Sequence, residues 1–75
     1  MTLPRLEFGP QEAVPAEDRG ENAPRYFNEC MARALKVIID QDKNPMFHPG
    51  EFIELVAQHV HERYPAIVVR MFDRN

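Results

Sequence analysis

Two amphipathic segments joined by a short, proline-containing connection are the feature that most restricts how this chain can fold. From Pro24 to Asp40, apolar residues recur at spacings of three and four, which is the repeat of one face of an α-helix. The opposite side of this segment carries interleaved acidic and basic side chains. The pattern predicts a helix with one solvated face and one buried face. The residues of the buried face are Phe27, Cys30, Met31, Ala34, Leu35, Val37 and Ile38.

The connection from Asp40 to Pro45 is polar, and its proline disfavours helical backbone in the residue before it. A second helix is expected from about His48-Pro49 to Tyr64-Pro65, since proline is tolerated in the first turn of a helix. Because so short a connection places consecutive helices side by side, residues Pro24 to Tyr64 are predicted to form an antiparallel helical hairpin. The hairpin belongs to a small, mainly α domain over residues 23–75. The apolar face of the second helix consists of Phe52, Ile53, Val56, Ala57, Val60 and Tyr64.

Residues 1–22 differ in composition from the rest of the chain. They hold two arginines and five acidic residues, which accounts for the whole formal net charge of -3. Their prolines remove backbone hydrogen-bond donors, and their apolar residues show no helical repeat. We therefore expect a disordered or extended acidic leader. One stretch, Leu3 to Phe8, could dock on the core as an edge strand through Leu6 and Phe8.

The apolar segment from Ala66 to Phe72 is compatible with two structures. Its β-branched residues, Ile67 to Val69, are typical of a buried strand. A strand, however, needs a partner, either residues 3–8 or the same segment of a second copy. A short helix beginning at Pro65 would satisfy its own backbone, and on that ground a short helix is slightly favoured.

The apolar stripe of the first helix is wider than one neighbouring helix can cover, and the terminal segment adds further apolar surface. Both features predict self-association, most simply as a two-fold homodimer. The residues expected to take part are Leu35, Ile67, Val68, Val69, Met71 and Phe72.

The side chains that usually carry chemistry are few and poorly spaced for it. Cys30 is the only cysteine, so an internal disulfide is excluded and a reducing, cytoplasmic setting is expected. His59 and His61 are two positions apart, so on a helix they point in different directions and cannot share a metal ion. The chain contains no serine, and its three glycines are scattered, so it has neither a Ser-His-Asp arrangement nor a glycine-rich phosphate loop. We expect no enzymatic activity, no cofactor and no metal; no apolar run approaches the length of a membrane span, so no membrane partner is expected either.

Binding to another macromolecule is the remaining class of function. A nucleic-acid footprint would be a basic stripe, but Arg63, Arg70 and Arg74 are interspersed with acids, which makes nucleic acid an improbable partner. The sequence instead favours a non-enzymatic small regulator or adaptor that binds another protein as a homodimer. The alternatives are a small DNA-binding transcriptional regulator and a structural subunit of a larger assembly. The candidate partner-binding residues are Tyr26, Phe52, Leu55, His59, Arg63 and Arg70.

Overall fold

A computed structural model of the chain describes residues 5–72. Its regular elements are strand β1 (Arg5–Gly9), helix α1 (Asn22–Asp40), helix α2 (Pro49–Arg63) and strand β2 (Val68–Phe72). Single-turn 3-10 helices lie at Gln11–Ala13, Ala16–Asp18 and Pro45–Phe47. The two predicted helices are thus present in a mainly α fold, which also contains a two-stranded antiparallel sheet. Neither helix has the length and apolar character needed to cross a membrane, as judged over the described part of the chain.

The two helices bury the faces that their apolar repeats define. Helix α1 buries four small or branched side chains, and α2 buries an aromatic ring and two valines. Tyr64 and Ile67 extend the core beyond the end of α2. The buried residues are Val14, Ala23, Cys30, Ala34, Ile38, Phe52, Val56, Val60, Tyr64 and Ile67.

Helix α1 ends in a tight, fully hydrogen-bonded turn. The Lys43 amide donates to the Ile38 carbonyl at 3.2 Å, and the Asp42 amide donates to the Ile39 carbonyl at 2.9 Å. These two bonds form a Schellman motif, in which the residue after the helix adopts left-handed backbone. Here that residue is Asp42, with φ of 60°. Asn44 then begins the next turn, because its side-chain oxygen accepts a hydrogen bond from the Met46 amide at 3.0 Å.

The slight preference for a helix at residues 66–72 is wrong. Residues Val68–Phe72 form β2, which pairs with β1 in antiparallel register from Arg5 opposite Phe72 to Gly9 opposite Val68. This is the alternative in which the segment pairs with the edge strand expected between Leu3 and Phe8, although residues 3 and 4 lie outside the described range. The β-branched residues favour a strand, and β1 supplies the hydrogen-bond partners that a strand needs. The ability of a helix to satisfy its own backbone therefore did not decide the structure of this segment.

The structure does not confirm disorder in the acidic leader. Residues 5–22 contain β1 and two 3-10 turns, and Val14 between those turns is buried in the core. The Arg19 guanidinium donates from Nε to the Val14 carbonyl at 2.9 Å and from Nη2 to the Glu12 carbonyl at 3.2 Å. The prolines prevent regular structure in this segment. Its order comes instead from the burial of Val14 and from the two backbone carbonyls that Arg19 satisfies.

Candidate functional site

The sheet joins the helices through aromatic contacts near the beginning of α1. The rings of Phe8 and Phe27 are stacked, with centroids 4.4 Å apart and planes inclined by 2°. Leu6 and Val69 also pack against the core on this side of the sheet. Because cross-strand neighbours share a face and side chains alternate along a strand, one face of the sheet is inward and the other is outward. The outward face, which we call the sheet face, consists of Arg5, Glu7, Gly9, Val68, Arg70 and Phe72.

Two candidate partner-binding residues, Tyr26 and Arg63, contact their own chain. The Tyr26 hydroxyl donates to the His59 backbone carbonyl at 2.8 Å. The Arg63 guanidinium lies 3.5 Å from an Asp18 carboxylate oxygen and 5.0 Å from the centroid of the Tyr26 ring. Arg63 therefore links the leader to the helices through an ion pair and a cation–π contact.

The other candidates of that set differ in their exposure. Phe52 is 2% exposed and belongs to the core, so it is removed from any partner-binding surface. Leu55 and His59 are half-buried, and Leu55 packs against the core while lining a shallow hollow on α2. Arg70 is exposed on the sheet face, directly across the sheet from Glu7.

The residues expected to mediate self-association separate into two groups. Ile67 is buried, Met71 is half-buried, and Leu35 and Val69 pack against the core of the same copy. Val68 and Phe72 keep 49% and 45% of their surface exposed. Alternation along β2 explains the division, because these two residues point outward from the sheet whereas Val69 points inward.

Two further exposed apolar residues lie on either side of the connection between the helices, where sequence reasoning had placed no binding residue. Ile39 is 59% exposed and Phe47 is 71% exposed; we call these two residues the turn patch. A signal for Ile39 was present, because three consecutive apolar residues from Val37 to Ile39 cannot all face the same side of a helix. Phe47 is a phenyl ring within a proline-containing turn, and its composition gives no indication of its exposure.

The turn patch and the sheet face lie at different ends of α1. Phe27, whose ring stacks on that of Phe8 in β1, precedes Ile39 by 12 residues of the same helix. At 1.5 Å per residue this separation is about 18 Å along the helix axis. The two surfaces are therefore separate from one another.

Cys30 and His61, two side chains that could carry chemistry, are held in place by their own chain. Cys30 is fully buried, and that burial raises the pKa of its thiol, so the thiolate is disfavoured. The His61 Nε2 lies 2.6 Å from the Ile67 carbonyl, so this nitrogen carries the proton and donates it to that oxygen. Among residues 5–72, no three His, Cys, Asp or Glu side chains are grouped closely enough to hold a metal ion.

No family model matches the chain, and comparisons with curated proteins and with solved structures found no match either.

Proposed function

We propose that this chain is a non-enzymatic small regulator or adaptor, which acts by binding another protein and functions as a homodimer in the cytoplasm. The observation that carries the proposal is the turn patch, and above all the 71% exposure of Phe47. An aromatic side chain left in water is a large apolar surface that a protein partner can cover. Covering it fully is worth about 1.5–3 kcal/mol.

The turn patch is not needed to complete the fold. The core already contains ten buried residues drawn from the leader, both helices and the turn before β2. Ile39 lies next to the buried Ile38 but faces outward, and Phe47 lies in a turn whose backbone is already ordered by Asn44. Two large apolar side chains that the core does not use, one at the end of α1 and one in the following turn, support a binding role, because a partner that covers both would remove their apolar surface from water.

The arrangement of the helices supports a presentation role for the turn. A hydrogen bond joins Tyr26 in the first part of α1 to His59 in the last part of α2. An ion pair of 3.3 Å joins Lys43, just after α1, to Glu51 at the beginning of α2. Both contacts support the antiparallel hairpin expected from the sequence. In that arrangement the turn patch is the tip of the hairpin and projects away from the sheet.

Other features favour protein over nucleic acid as the partner. Arg63 forms an ion pair with Asp18, and Arg70 lies across the sheet from Glu7, so both arginines have acidic neighbours. Arg74 lies outside the described residues. A nucleic-acid surface would instead need cations available to phosphates. The burial of the Cys30 thiol likewise favours a packing role over nucleophilic chemistry.

The test is affinity capture of the partner from the native cell, followed by measurement of the affinity of the purified pair by calorimetry. The variant Ile39→Ser/Phe47→Ser should weaken that affinity at least ten-fold, because the partner would no longer bury either side chain. The matched control is Arg25→Ser/Glu29→Ser, which alters two exposed residues of α1 without changing the net charge.

The proposal is contradicted if no protein is enriched, or if both double variants bind the partner as the wild type does. A duplex-DNA titration with measurable affinity would favour the transcriptional alternative, and co-purification of several subunits in fixed ratio would favour the structural one.

A further inference from the structure

The sheet face carries an apolar side chain at each end of β2 and an acidic and a basic side chain in its centre. Along β2 its residues are Val68, Arg70 and Phe72, and their cross-strand partners on β1 are Gly9, Glu7 and Arg5. Glu7 and Arg70 therefore form the central pair. Beside them is an open hollow of about 280 Å³, lined by Glu7, Gly9, Pro10, Val68 and Arg70.

We propose that this sheet face packs against the same face of a second copy, about a two-fold axis that runs parallel to the strands between the two sheets. The inference deepens the homodimer of the proposed function and rests on it. Such an axis places β2 of one copy over β1 of the other at the same height along the strands. Each β2 residue of one copy then lies over a β1 residue of the second copy. The type of that β1 residue is the same as that of its cross-strand partner within one sheet, so that Arg70, for example, lies over Glu7 of the second copy.

Charge selects this axis over the alternative. With the axis parallel to the strands, Glu7 of each copy lies over Arg70 of the other, so the dimer gains two ion pairs of opposite charge. A two-fold axis across the strands would instead stack Glu7 on Glu7 and Arg70 on Arg70, which like-charge repulsion disfavours. Sheets packed face to face are about 10 Å apart, a distance that one glutamate and one arginine side chain can span together.

The sizes of the side chains at the two ends of the sheet face favour the same axis as the central charges. Val68 of one copy lies over Gly9 of the other, where no side chain is present and nothing lies within 4 Å of the position that a Cβ would take. The hollow beside Gly9 therefore receives the exposed valine. At the opposite end, Phe72 lies over Arg5, a pairing in which a guanidinium can stack on an aromatic ring.

The size of the face determines the strength of the dimer. Each strand has five residues, so the face is about 17 Å long and two strands wide. This is well below the roughly 800 Å² per partner of a stable interface, which indicates a weak and reversible dimer. We expect a dissociation constant between about 10 µM and 1 mM.

Sedimentation equilibrium of the purified full chain up to 1 mM, with circular dichroism to verify folding, tests the inference. The average mass of the wild type should rise from 8.8 kDa towards twice that value as its concentration rises. Glu7→Arg alone and Arg70→Glu alone should each weaken association at least ten-fold, because each places like charges over one another in the dimer. A one-to-one mixture of the two variants should restore association, because every pair across the interface is then of opposite sign. A charge pair within one copy cannot produce this rescue by mixing.

The inference is overturned if the wild type remains monomeric at 1 mM, if both charge variants dimerise as the wild type does, or if the mixture of folded variants remains monomeric. Val68→Thr provides a further test should the charge variants fail to fold, since threonine keeps the shape and the strand preference of valine. It should weaken dimerisation about five-fold, and unchanged dimerisation would contradict the inference. A monomer that still captures a partner through the turn patch overturns the homodimer alone, whereas a dimer that captures nothing overturns partner binding alone.

Discussion

Tyr26 and Tyr64 meet edge to face, with ring centroids 5.5 Å apart and planes inclined by 88°, yet their hydroxyl groups have opposite hydrogen-bonding states. The Tyr26 hydroxyl donates to the His59 carbonyl at 2.8 Å. The Tyr64 hydroxyl is buried and has no hydrogen-bond partner among residues 5–72. Both rings contribute to the junction where α1, α2 and the leader meet, but only the Tyr26 hydroxyl contributes a hydrogen bond to it.

This difference predicts that removing the hydroxyl group has different effects on the free energy of unfolding at the two tyrosines. Tyr26→Phe should lower the free energy of unfolding by about 1 kcal/mol, because it removes a hydrogen bond. Tyr64→Phe should leave that free energy unchanged or raise it by up to about 1 kcal/mol, because it removes a buried polar group that has no partner. Urea unfolding of the two variants at neutral pH measures both values. Equal losses in the two variants would show that the Tyr64 hydroxyl has a partner in solution.

The end of α1 offers a stabilising substitution. Asp42 adopts left-handed backbone with φ of 60°, a conformation that costs most residues about 1 kcal/mol and glycine almost nothing. Asp42→Gly should therefore raise the midpoint of urea unfolding, by the equivalent of about 0.5–1 kcal/mol. Asp42→Val is the matched control, since a β-branched side chain tolerates this conformation poorly and should lower the midpoint. A lower midpoint for the glycine variant would show that α1 ends differently.

The order of the acidic leader depends on one apolar anchor. Val14 is 3% exposed, although it is surrounded in sequence by polar residues and prolines. Val14→Ser should destabilise the fold by about 1–3 kcal/mol, because it removes buried methyl groups and leaves a hydroxyl in the core. It should also accelerate tryptic cleavage after Arg19, whose guanidinium is held by the Val14 carbonyl. The control Ala16→Ser alters an exposed neighbour. Rapid cleavage of the wild type at Arg19 would favour the disordered leader instead.

The helices could be predicted because their signal is local. Spacings of three and four among the apolar residues between Pro24 and Ile38 give the buried face of α1 from neighbouring residues alone. Pro49 and the Tyr64-Pro65 pair likewise mark where α2 begins and ends. Each of these features acts within a few residues, so that no knowledge of the rest of the fold was needed.

The sheet and the binding surfaces could not be predicted in the same way. Pairing of β2 with β1 joins residues 59 to 67 positions apart, whereas the alternative short helix would have needed only neighbouring residues. The outward direction of Val68 and Phe72 follows only once that register is known. Composition indicated disorder in residues 1–22, but it did not reveal the buried Val14 or the carbonyls that Arg19 satisfies. Long-range contacts therefore determined both β2 and the order of the leader, the two elements that differed from expectation.

Tyr64 also predicts how stability responds to alkaline pH. Burial raises the pKa of Tyr64 in the folded state, the nearby Asp18 carboxylate raises it further, and together they outweigh the opposing effect of the Arg63 guanidinium, so folding favours the neutral phenol. A group whose pKa is raised by folding contributes stability below its unfolded pKa, about 10 for tyrosine, and this contribution is lost as the pH rises through the folded value. The wild type should therefore lose stability above about pH 10, as measured by the midpoint of urea unfolding at successive pH values. Tyr64→Phe should lose less over the same range, although Tyr26 and Cys30, whose pKa values are also raised by burial, still titrate in that variant. Parallel curves for the wild type and Tyr64→Phe would show that the Tyr64 hydroxyl ionises as readily in the folded chain as in the unfolded one.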